Sequence, residues 1–153
     1  MTKIEELRQI LEMESEIAET LCTILSAKQQ AIVRFKGEAL ADATTREENL
    51  LEPLEKLELE RLECSTAICE SLTTTDKSGP QSPPRLRDVI SLLNAEDATR
   101  LTPLAARLRE AVESILRLNS QNRTLLNHSL HFVKETLRIV TEDHTRQLID
   151  QRI

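Results

Sequence analysis

From Leu118 to Val140 the sequence LNSQNRTLLNHSLHFVKETLRIV returns its apolar residues at a helical period, and this repeat constrains the fold more than any other stretch. At about 100° per residue, Leu118, Asn122, Leu125, Leu126, Ser129, Leu130, Phe132, Val133, Leu137 and Val140 share one broad arc. Ser120, Arg123, Thr124, Asn127, His131, Lys134 and Arg138 take the opposite, water-facing side. Asn122 and Ser129 lie near the middle of the arc. A polar group in an apolar seam is costly unless it is hydrogen-bonded, so it marks a register-setting contact or a surface that a partner completes. The arc spans about 160°, more than a two-helix hairpin covers, and the remainder predicts a binding face for another protein or a second copy.

The rest of the chain agrees with helices. Two phenylalanines, two glycines and no Trp or Tyr in 153 residues exclude an aromatic-rich sheet protein and predict an all-α fold. From Ile4 to about Leu40, apolar residues recur as a heptad through Leu7, Leu11, Ala18, Leu21, Leu25, Ile32, Phe35 and Ala39, with Ile10, Ile17 and Ile24 on an adjoining stripe. Two rows predict two neighbours. Glu14 and Lys28 interrupt the seam and are expected to snorkel, to pair across a thin bundle or to set its register.

Gly37 and Ala41-Asp42-Ala43-Thr44-Thr45 predict a break, with Thr44-x-x-Glu47 and Thr45-x-x-Glu48 as capping boxes for a second helix reaching Leu72. Pro53 predicts a kink or the start of the regular part of that helix. Arg61, within its apolar arc, is expected to lead its charge outward. Residues 73–84 (TTTDKSGPQSPP) read as a flexible linker, and about Arg85 to Asn94 as a short helix. Thr102-Pro103 predicts the cap and first turn of the last helix, which runs to about Leu148. The expected architecture is one elongated helical domain of three to four helices over 1–153. It comprises an antiparallel hairpin (1–72), the linker (73–84), and a short helix with a long C-terminal helix (85–150).

Chemistry is not expected from this chain. His128 and His131 lie on the polar side, and His144 has no second His or Cys near it. Inward carboxylates with a Glu-x-x-His repeat are missing, two glycines cannot form a phosphate loop, and no nucleophile triad can be assembled. No catalytic residue, cofactor or metal ligand is predicted. A net charge of −6 without a basic face argues against nucleic acid. Cys22, Cys64 and Cys69 have neither metal-ligand nor disulfide spacing and read as core thiols in a reducing compartment. The N-terminus has no apolar signal core and no stretch is long enough to span a bilayer, so a cytoplasmic protein is expected, without membrane insertion.

Two blocks together resemble the FlgN family of flagellar export chaperones. One is Leu118-Asn119-x-x-Asn122-x-x-Leu125-Leu126 followed by Ser129-Leu130-x-Phe132; the other is Glu48-x-Leu50-Leu51-x-x-Leu54-x-x-Leu57-Glu58-x-x-Arg61. The resemblance covers most of the chain. It implies a cytosolic chaperone that holds the C-terminal helical segments of the hook–filament junction (hook-associated) proteins and delivers them to the flagellar export gate. The client-binding residues it implies are Leu118, Asn119, Asn122, Leu125, Leu126, Ser129, Leu130, Phe132, Val133 and Leu137, with the Asn122 amide bonding the client. Relatives often carry an aromatic residue in a tail beyond the last helix, whereas this chain has no Tyr or Trp and ends at Ile153. The alternative is a structural coiled-coil protein whose exposed stripe pairs with itself, and a homodimer in the absence of client is compatible with either reading.

Overall fold

A computed structural model of the chain describes residues 2–73 and 83–152, and these contain four helices: α1 (Lys3–Val33), α2 (Gly37–Leu72), α3 (Leu86–Leu92) and α4 (Ala95–Arg152). All four are α-helical, as composition and period require. The expected linker falls largely on residues 74–82, outside the described residues.

The first helix is the centre of the bundle. Thr2 caps it, its hydroxyl accepting the Glu5 N–H at 3.2 Å. α1 meets both α2 and α4, while α2 and α4 make no backbone contact among the described residues. Leu21 and Leu25 of α1 touch both neighbours, packing with Leu118 on one side and Leu50 and Leu54 on the other. α4 runs parallel to α1, which is seen in the ladder of cross-contacts from Arg100–Glu5 through Arg107–Glu19 to Gln121–Gln29. α2 returns antiparallel and α3 bridges α2 and α4 at the far end.

The core tapers. At the wide end Leu7, Leu11, Cys64, Ile68, Val89, Leu101 and Leu108 pack together from all four helices. Further along a smaller cluster of Leu21, Leu25 and Leu118 is buried, with Leu50 and Leu54 half-covering it, and Ile24, Ala31, Ile32 and Ala43 continue the α1–α2 seam. Beyond Asn122 no residue of α4 is buried.

Glu14 and Arg61 close the α1–α2 seam, with Arg61 Nε donating to Glu14 Oε2 at 2.9 Å, and Lys28 and Glu47 do the same at 2.8 Å. The Arg61 guanidinium thus turns inward to a partner instead of outward to water. Burial holds the Glu14 carboxyl above its ordinary range, and the Arg61 charge and hydrogen bond only partly oppose this. The three thiols are free, and burial raises each of them above the ordinary cysteine value, which suits core positions.

The chain reverses earlier than expected, over Arg34, Phe35 and Lys36. The Lys36 N–H donates to the Ala31 carbonyl at 2.9 Å and the Phe35 N–H to Ile32 at 3.2 Å, the paired bonds of a Schellman turn. Its left-handed residue is Phe35, at φ 54°, and not Gly37, whose φ is not positive. A side chain in that region costs about 1–2 kcal/mol, which is why glycine usually occupies it. Gly37 instead opens α2. Thr44 and Thr45 lie inside that helix, their hydroxyls donating to Leu40 and Ala41 carbonyls at 2.8 and 3.1 Å, so neither capping box is used. α2 passes through Pro53, which is exposed, and its regular part begins at Gly37.

α4 also starts earlier than Thr102. The Asn94 side chain accepts the Asp97 N–H at 2.9 Å, a complete N-cap, and Glu96 and Asp97 complement the helix dipole in the first turn. Thr102 turns its hydroxyl back to the Ala98 carbonyl at 2.6 Å, and Pro103 sits on the exposed side of a continuous helix. Leu101, fully buried, anchors the turns that precede the proline.

Candidate functional site

The long arc on α4 divides into a part that the bundle uses and a part that it leaves open. Leu118 is buried against Leu21 and Leu25. Asn122 is 3% exposed, and its Nδ2 donates to the Leu25 carbonyl at 3.1 Å. In the free chain this amide is thus engaged inside the bundle, contrary to the expectation that it meets a client. Its Oδ1 is buried without a partner among the described residues. Leu125, Leu126 and Ser129 are half-buried at the margin.

Past that margin the arc emerges into solvent. Leu130 is 56% exposed, Val133 44%, Leu137 60% and Val140 60%. With Leu126 these residues follow spacings of four, three, four and three, the rhythm of a seam that expects a second helix. Phe132, at the other edge of the arc, is 63% exposed. Asn119 is exposed and lines a shallow hollow with Lys28, Asn122 and Arg123.

This emergence follows from length. At 1.5 Å per residue, α1 spans roughly 46 Å and α4 roughly 87 Å, so the C-terminal part of α4 outruns the hairpin. Residues after Val133 project alone for roughly 28 Å. Arg138 braces that segment through Glu135 and Glu142, at 2.9 and 3.2 Å.

Sequence reasoning missed the residues beneath the turn. Ile32, Phe35, Lys36 and Leu40 face Leu126, Leu130 and Val133 across an apolar hollow of about 230 Å3. The Phe35 ring lies 6.4 Å from that of Phe132, tilted by 51°. The periodicity placed Phe35 inside α1, and the only local hint of its true position is Gly37 two residues on.

The three histidines are exposed, and among the described residues no group of three His, Cys, Asp or Glu could hold a metal. Among the described residues no helix is long and apolar enough to cross a membrane.

A family model described as FlgN protein matches residues 1–149. The chain belongs to the FlgN family. That family consists of flagellar export chaperones, and a chaperone role accords with a site made of exposed apolar surface. The FlgN match takes in both blocks that suggested it and all but the last turn of α4. No curated protein and no solved structure matches this FlgN-family chain.

Proposed function

We propose that the chain is a cytoplasmic export chaperone that binds the C-terminal helical segment of a hook–filament junction protein on the open part of α4 and carries it to the flagellar export gate. The observation that supports this is the solvent exposure of Leu130, Val133, Leu137 and Val140 on a helix that has outrun its own bundle. An amphipathic client helix laid along this seam removes their apolar area from water in the helix-in-groove mode. Leu125, Leu126, Ser129, Phe132 and Asn119 border the same surface. Leu118 and Asn122 support it from within by fixing α4 on α1.

Leu137→Asp tests the reading. Leu137 is far from the core, so the melting temperature is expected to hold, whereas loss of one buried leucine lowers client affinity tenfold or more. The measurement is calorimetry against a C-terminal fragment of a junction protein, with His128→Ala as the control. Unchanged affinity for Leu137→Asp overturns the assignment. Light scattering on the client-free chain addresses the rival, self-pairing reading: a stable dimer that the fragment fails to dissociate favours a structural coiled-coil protein.

A further inference from the structure

We propose that the reversal between α1 and α2 is a second part of the client surface, in which the hollow under Phe35 takes one large aliphatic side chain from an amphipathic helix with acidic flanks. The proposal rests on the client reading above and extends it from a single helix to a composite site.

The first ground is Phe35 itself. Both Schellman bonds of the turn are backbone bonds that glycine would make without penalty in the left-handed conformation. The ring does not repay the fold by burial, since Phe35 is 65% exposed and its aromatic neighbour Phe132 is nearly as open. Backbone outliers of this kind concentrate at binding sites, where the conformation aims a side chain. Here it aims a ring into the wall of a cavity.

The cavity supplies the second ground. Ile32, Phe35, Leu40, Leu126, Leu130 and Val133 enclose about 230 Å3 with an almost wholly apolar lining. Small-molecule sites begin at about 300 Å3 and carry convergent polar groups, so this hollow is better suited to a side chain than to a free ligand. It is continuous with the open seam, because Leu130 and Val133 belong to both. A helix lying on Leu137 and Val133 reaches the hollow one turn further along.

Charge identifies the chemistry of the occupant. Lys36 lines the hollow, and Arg123 lines the neighbouring one across the Leu126–Leu130 ridge. Neither Lys36 nor Arg123 forms an ion pair among the described residues. Glu38 and Asp42, early in α2, are the first carboxylates after the turn. Lys36 at the hollow and Arg123 at the one beside it, on a chain of net charge −6, match carboxylates beside the client's apolar face.

The test uses the full chain and a C-terminal helical fragment of a hook–filament junction protein, titrated by calorimetry at low and high salt. Phe35→Gly is expected to keep or raise the melting temperature while weakening binding tenfold or more. Lys36→Glu combined with Arg123→Glu is expected to weaken binding at least tenfold at low salt, with the difference shrinking at high salt as screening grows. Phe35→Gly binding like the wild type while Leu137→Asp does not overturns the hollow and leaves the client reading intact. A melting temperature that falls together with affinity in Phe35→Gly makes the ring a folding element and overturns the proposal. Wild-type chain that fails to bind the fragment overturns the client reading first. A client-free dimer that Phe35→Gly dissolves gives the hollow to a second copy and also overturns it.

Discussion

Buried polar residues in this bundle differ in whether their partners match them. Arg61 answers Glu14, so removing it leaves a carboxylate inside the α1–α2 seam. Arg61→Ala is expected to destabilise by about 3 kcal/mol at pH 7. The sign of its pH dependence follows from the carboxyl value, which burial already raises above 4.5 and which rises further without the guanidinium. A raised folded-state value gives stability that is present at low pH and lost as pH climbs through it. Urea melts should therefore show the Arg61→Ala deficit growing from pH 4.5 towards neutrality; a pH-independent deficit would mean that Glu14 is not its source. Asn122 is the contrasting case, with one amide hydrogen bond made and one buried oxygen left over. Asn122→Leu exchanges that orphan for packing and should raise stability by about 1–2 kcal/mol with client affinity unchanged. A weaker affinity would return Asn122 to the binding surface. In the sequence both residues were recognisable as polar interruptions of apolar stripes. Which side they faced was not, because a helical wheel gives angles and no neighbour.

At the scale of elements, helices were legible and their ends were not. Thr44, Thr45 and Thr102 are sound cap residues in sequence, yet all three lie within helices and return their hydroxyls to carbonyls four residues back. Local cap chemistry is degenerate, and tertiary burial of residues such as Leu101 chooses among the candidates. Phe35 sits at a heptad position, and Gly37, the one local hint of a turn, points two residues past it. Gly37 offers a direct check on the observed boundary. A Cβ there meets nothing within 4 Å and its φ is not positive, so Gly37→Ala should stabilise by about 0.5–1 kcal/mol in thermal melts. Destabilisation would place the left-handed residue at Gly37 after all. The projecting part of α4 gives another. A single exposed helix depends on its own hydrogen bonds, so amides after Val133 should exchange faster than those between Leu101 and Asn122, and slow when client is bound.

Across the whole molecule, burial and charge are distributed unevenly along one axis. The four-helix end holds the fully buried side chains Leu7, Leu11, Val89 and Leu101, and the turn end holds open apolar surface with Lys36 at its edge. An elongated all-α bundle was foreseeable from composition and period. The overshoot of α4 was not, because the apolar pattern continues unchanged where the core stops. Since the buried residues of α4 end at Asn122, the proposed client surface and the part of α4 that a melt reports on lie in different halves of that helix. A preparation nicked beyond Val133 would melt with the same midpoint and the same cooperativity as an intact one. On the proposed reading, folded fraction is therefore no measure of loading-competent fraction, and titration with client is the quantity to normalise by.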